Sequence, residues 1–365
     1  MMRHLVLVGA GFAHLQLLAH LRQSMPADLG VTVITRQQEY VQADLLVHAI
    51  ARGQDLEQAT VDIPPLLRKT GVRWLQQNVQ SIHAADKTLL LDDGRSLHFD
   101  WLSIDLEAAQ NRDMTEQQMP GARANGLFLF PQASFCNLWP RVAALALDNP
   151  LRVALIADTA ESTAPVNNYH LELALAIANA FKGSALTLVT KHQHVAMGSA
   201  VFQTHVHALL KRRNITILHD TASAIQPEEV LLASGARLAC DVPLVATPPD
   251  MPLLLFASDL QKDESGQIAL DGWQRSGSHP WVFVPGQSAP ASLKYWLVGL
   301  TDTFTGKTLK ARAAQVTQLA NAEPQLLACG TGKTLVVWVS LAWQSRMTGY
   351  LHANHNRNRL LKLLA

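Results

Sequence analysis

The chain has 365 residues, 48% of them hydrophobic and 16% charged, with a formal net charge of +1. Such a length predicts two or three domains with a large core, and near-neutral charge without a block of basic residues excludes a nucleic-acid footprint. Three cysteines, Cys136, Cys240 and Cys329, stand far apart with no C-x-x-C pair, which argues against a disulfide framework, a zinc knuckle and a redox dithiol between near neighbours.

The stretch HLVLVGAGFAHLQLLAHL at 4–21 reads as a buried strand over Leu5–Val8, a tight turn at Gly9-Ala10-Gly11, and a helix. Phe12, Leu15, Leu18 and Ala19 recur there at helical spacing. Gly9 can take backbone angles that a side chain would forbid. Gly11 has no Cβ and so would let a pyrophosphate approach the chain. The helix N-terminus at Phe12, Ala13 and His14 offers free N–H groups and a positive dipole end. His14 replaces the third glycine of G-x-G-x-x-G, a position that governs helix–strand packing more than phosphate contact.

VTVITR at 31–36 predicts a second strand, completing βαβ. Thr35 and Arg36 stand where an acid would hold a ribose. Arg36 is open to two readings, a contact to adenine or phosphate and a solvated loop arginine. Residues 72–106 read as a meander, with DDGRS as a hairpin turn, and 111–126 as a polar linker. A second α/β unit follows. It has strands at 151–158, 185–191 and 215–220, helices at 169–181 and 204–214, and a hairpin around 231–241. Residues 242–250 read as a strand returning to the first domain, 280–289 as a strand ending in a turn, and 306–322 as a helix.

Two other patterns invite functional readings. CGTGKTLVVW at 329–338 would need glycine at Leu327 for a phosphate loop, and a strand-like run follows it, so a hairpin turn is expected. His192, His194, His205 and His207 form two H-x-H pairs. Residues two apart on a helix do not share a face, so no metal site is expected. The longest late apolar run, TLVVWVSLAW, falls well short of the ~20 residues needed to cross a bilayer. The chain enters its first strand without a charged leader, so the expected location is cytoplasmic. The basic, leucine-bearing tail HANHNRNRLLKLLA fits peripheral contact at the inner membrane face and docking on its own domain equally.

The ordered series HLVLVGAGFAHLQLL, DDGRSLHFDWLSIDL, LELALAIANAF, RLACDVPLVATPPD, GSHPWVFVPGQSA and AAQVTQLAN resembles the two-dinucleotide-domain flavoproteins. More narrowly, it is similar to the pyridine nucleotide-disulfide oxidoreductase-like family that includes type II NADH dehydrogenases, in the branch associated with selenophosphate synthase. The resemblance implies an α/β fold of two Rossmann-like dinucleotide-binding domains, the second inserted in the first, plus a small C-terminal segment. The implied boundaries are 1–110 with 245–325 for an FAD-binding-like domain, 111–244 for an NAD(P)-binding-like domain, and 326–365 for a C-terminal hairpin and helix. It implies FAD in the first domain and NAD(P)H in the second, with electrons passing from nicotinamide to flavin to a quinone or other acceptor. The implied cofactor-binding residues are Gly9, Gly11, Phe12, Ala13, His14, Thr35, Arg36, Gly286 and Gln287. Glu172 would lie by the nicotinamide site, and Lys307 and Gln315 on the last helix would border the flavin and the acceptor pocket.

Departures from the family's pattern are equally informative. No glycine follows LRVALIAD, where Asp158 and Glu161 bring like charge to a pyrophosphate. NAD(P)H binding is therefore in question. The family's Gly-Asp is Gly286-Gln287, its Ala-Thr-Gly is Ala246-Thr247-Pro248, and its flavin loop near 40–50 reads YVQADLLVHAI. Three functions follow: an FAD-dependent oxidoreductase, a non-catalytic or regulatory nucleotide-binding relative, and a flavin-free NAD(P)-binding oxidoreductase. Electron donor, acceptor and assembly, a homodimer included, stay open.

Overall fold

We describe a computed structural model covering residues 2–23, 25–107, 109–159, 168–264, 266–285, 300, 325–331, 333–338 and 341–348. The first unit begins with β1 (Arg3–Val8), α1 (Phe12–Gln23), β2 (Leu29–Ile34), β3 (Glu39–Val41) and α2 (Ala43–Arg52). A 3-10 turn, Leu56–Ala59, leads into β4 (Thr60–Asp62), α3 (Ile63–Thr70) and β5 (Arg73–Leu75). Three antiparallel strands follow, β6 (Val79–His83), β7 (Thr88–Leu91) and β8 (Ser96–His98), and then β9 (Trp101–Ile104).

The second unit contains α4 (Arg112–Gln118), α5 (Ala122–Asn125), β10 (Leu127–Phe128), α6 (Gln132–Asp148), β11 (Arg152–Ile156), α7 (Asn168–Ala180) and β12 (Ala185–Val189). It continues with α8 (Ala200–Arg212), β13 (Ile215–Leu218), the meander β14 (Ala222–Gln226), β15 (Glu229–Leu232) and β16 (Arg237–Ala239), and β17 (Val242–Val245). After α9 (Leu253–Phe256) and β18 (Val282–Phe283) comes a C-terminal sheet of β19 (Gln325–Ala328), β20 (Thr334–Trp338) and β21 (Leu341–Ser345).

Two five-stranded parallel sheets organise the chain, ordered β18-β9-β1-β2-β5 and β10-β17-β11-β12-β13. Strands covered on both faces read as unbroken apolar runs. Leu5, Val6 and Leu7 of β1 and Leu155 and Ile156 of β11 are accordingly fully buried. The largest core cluster joins α2 to α6 and α7, so the two units share apolar packing.

Two expectations are corrected. Residues 111–126 carry two short helices, α4 and α5, in place of a linker. Asn111 caps α4, its side chain accepting the N–H groups of Asp113 and Met114, and this local bond organises a stretch too polar to show a helical apolar stripe. Val242–Val245 does not return to the first unit but lies in the second sheet between β10 and β11. Residues 43–52, in the stretch whose sequence departs from the family's flavin loop, are a helix, α2, closed by Gly53 in the left-handed region. The expected turn at CGTGK does join two strands, since β19 and β20 pair as an antiparallel hairpin.

Candidate dinucleotide site

In parallel α/β sheets ligands bind outside the carboxyl ends of the strands. The turn after β1 occupies that place in the first sheet. Gly9 adopts φ +90 and its N–H donates to Ile34 O at 2.9 Å. Strand register decides what lies beside it. Val8 pairs with Ile104 of β9, so the residue after β9, Asp105, comes to rest against the residues after β1.

Asp105 is buried and grips the turn at three points. Its N–H donates to Val8 O at 2.9 Å, and its carbonyl accepts the Gly11 N–H at 3.1 Å. Its carboxylate accepts the His14 N–H at 3.1 Å and the Ala13 N–H as well. These are helix N-terminal donors of the kind a pyrophosphate would use. A Cβ on Gly11 would stand 2.3 Å from Asp105 Oδ1, and one on Gly9 would stand 2.2 Å from Asp105 O. Both glycines thus make room for the chain's own aspartate. Burial raises the Asp105 carboxyl above its ordinary pKa, against the lowering effect of His14 and the two N–H donors.

His14 locks this corner from below. It is fully buried, with Nδ1 2.8 Å from Gly9 O and Nε2 2.9 Å from Ser103 Oγ. A carbonyl only accepts, so Nδ1 carries the proton and Nε2 accepts from the Ser103 hydroxyl. Burial lowers the His14 pKa from its usual value, against the raising effects of Asp105 and the bond to Gly9 O.

The other expected residues divide. Phe12 stacks on Tyr40 with ring centroids 6.0 Å apart, and Ala13 is buried. Thr35 is buried, its hydroxyl accepting the Gln37 N–H at 3.0 Å and its carbonyl the Trp74 indole N–H at 3.2 Å. Arg36 pairs with Asp92 at 2.8 Å on the surface, which favours the solvated reading. Gly286, Gln287, Lys307, Gln315 and Glu161 lie outside the described residues. Pro248 does not loosen the crossing beside it. The Gln110 side-chain amide donates to the Thr247 hydroxyl at 2.7 Å and to its carbonyl at 3.0 Å.

The corresponding corner of the second sheet is also acidic. Ile156 pairs with Val189, which brings Asp158 beside the end of β12. The buried Asp158 carboxylate accepts from the Thr190 hydroxyl and from the Lys191 N–H, and it faces His192 Nε2 at 3.8 Å. Glu172 on α7 is half-buried, and its Oε1 accepts the Ala328 N–H at 2.7 Å. Burial, with a smaller contribution from Asp44, pushes its pKa up to about 8. Among the described residues no group of histidine, cysteine and acidic side chains is placed to hold a metal ion. No described helix is long and apolar enough to cross a membrane.

No family model matches the chain, and no curated protein matches it at a significant level. Solved structures do match. The sulfide:quinone oxidoreductase of Aquifex aeolicus superposes with a TM-score of 0.76 at 14% identity, over 99% of this chain and 91% of that one. The chain has the fold of the pyridine nucleotide-disulfide oxidoreductases. NDH2 from Plasmodium falciparum, in complex with NADH, gives a TM-score of 0.68 at 11% identity over 100% of this chain and 98% of its own. The water-forming NADH oxidase of Lactobacillus brevis, bound to NADH, gives 0.66 at 16% identity over 98% and 91%.

That fold implies FAD at the turn after β1, and the residues there do not fit it. The Ala13 and His14 N–H groups are held by a buried carboxylate, and the space beside Gly11 is filled by the same side chain. Sequence reasoning missed Asp105. Its signal was an acid placed directly after the apolar strand WLSI, an awkward position for a charge unless backbone donors meet it.

Proposed function

We propose that this chain is a non-catalytic binding or regulatory protein built on the oxidoreductase fold, working without a dinucleotide at the Gly9–Gly11 turn. The observation that carries the reading is the Asp105 carboxylate on the Ala13 and His14 N–H groups. Two further features support it. Asp158 sets a buried carboxylate at the same corner of the second sheet. Thiol chemistry is also suppressed, because burial pushes Cys136 up to about 12 and Cys240 up to about 11, leaving almost no thiolate at neutral pH.

One observation favours a second reading, the FAD-dependent oxidoreductase. Glu172, with its pKa near 8, is suited to proton transfer at neutral pH, and a general acid or base works best near the operating pH. The visible spectrum after incubation with excess FAD and removal of free flavin separates the two. The proposed function predicts no flavin bands and no NADH-dependent turnover. A yellow protein with stoichiometric FAD, bleached by NADH, would establish the oxidoreductase instead.

A further inference from the structure

We infer that Asp105 is the residue that bars a diphosphate from the turn, so that the chain keeps an anion seat and occupies it with its own carboxylate. This rests on the reading given under Proposed function and extends it from an outcome to a cause. The seat keeps its working parts. Gly9 holds the left-handed turn at φ +90. Gly11 has no Cβ where one would meet Asp105 at 2.3 Å. The twelve-residue helix α1 presents its first N–H groups to an oxyanion. The occupant already has the chemistry of the excluded ligand, since a carboxylate accepting two N–H groups stands where a phosphate oxygen would accept them.

A diphosphate cannot enter while Asp105 remains. The two anions would share the same donors, and like charges at that range repel strongly in a buried setting. Among the described residues no lysine or arginine acts on the Asp105 carboxylate, and His14 is the one titratable side chain that does. Its ring nitrogens are taken up by Gly9 O and Ser103 Oγ, and burial lowers its pKa. Removing the carboxylate frees the Ala13 and His14 N–H groups and clears the space beside Gly11 without disturbing the turn's own backbone bond from Gly9 N–H to Ile34 O.

The test is titration of the full chain and of Asp105→Ala and Asp105→Asn with ADP, followed by calorimetry. ADP carries the diphosphate without the flavin ring, so only the turn is probed. Asp105→Asn keeps the shape and an acceptor for the N–H groups while removing the charge, which protects the comparison should the alanine variant fail to fold. Thermal unfolding establishes which variants are folded. The inference expects ADP to bind Asp105→Ala at least about tenfold tighter than the parent, and Asp105→Asn to shift in the same direction by less. Inorganic pyrophosphate should compete. Folded variants with the parent's affinity for ADP would overturn it. Stoichiometric FAD on the parent chain is a separate result. It would overturn both this inference and the non-catalytic reading, whereas an unchanged ADP affinity in folded variants, with no FAD on the parent, would overturn this inference alone.

Discussion

A methyl group on Gly11 would stand 2.3 Å from the Asp105 carboxylate, a buried side chain that must shift to admit it. Gly11→Ala should therefore lose about 1–3 kcal/mol in urea unfolding, the usual cost of overpacking. Combining it with Asp105→Ala should recover part of the loss as a coupling of at least about 0.5 kcal/mol. An unchanged midpoint for Gly11→Ala would mean that Asp105 vacates the corner easily. Gly11 was legible as a glycine that must admit an oxygen, but whose oxygen it admits was not. Glu172 gives a second test at this scale. Its folded pKa of about 8 lies above the ordinary carboxyl value, so its contribution to stability is complete at low pH and is lost as pH rises from about 4.5 through 8. Glu172→Gln keeps the shape without the charge. Its melting temperature should gain on the parent's steadily between pH 5 and pH 8, and a constant offset across that range would contradict the assigned burial. Comparing variant with parent cancels the opposite contribution of the buried His170, whose pKa burial lowers to about 4.

Among the elements, the turn-and-helix unit β1–α1 was legible because its pattern is local: an apolar run, two glycines and apolar residues at helical spacing. Helix α4 was not, because a side-chain cap organises it without an apolar stripe. The C-terminal hairpin shows how elements are held from a distance. Ala328 N–H is bound by Glu172, and Gln325 Oε1 accepts the Ser199 N–H at 3.1 Å and its hydroxyl at 2.9 Å. Gly330, at φ +70, brings its backbone so close to α7 that a Cβ would meet Leu175 O at 2.4 Å. Gly330→Val should therefore lift the hairpin from α7. Limited proteolysis should then cut within 325–345 first, while the parallel sheets stay protected. Equal resistance in variant and parent would show that the hairpin docks by other means.

For the whole molecule, the order of strands and helices along the chain was readable, and so was the two-domain α/β fold it implies. Membership of a sheet was not, because pairing partners are chosen across the fold. Val242–Val245 is apolar and followed by Thr247-Pro248, and nothing local decides that it belongs beside β11. The same reason hid the occupied turn. Asp105 and Gly11 are far apart in sequence and meet only because Val8 pairs with Ile104. The fold thus supplies a dinucleotide seat, and one register position fills it. The most direct measurement is a crystal structure of the full chain grown with excess FAD. The account predicts the Asp105 carboxylate on the Ala13 and His14 N–H groups with no dinucleotide at the turn. A diphosphate on those N–H groups, with Asp105 turned away, would contradict it.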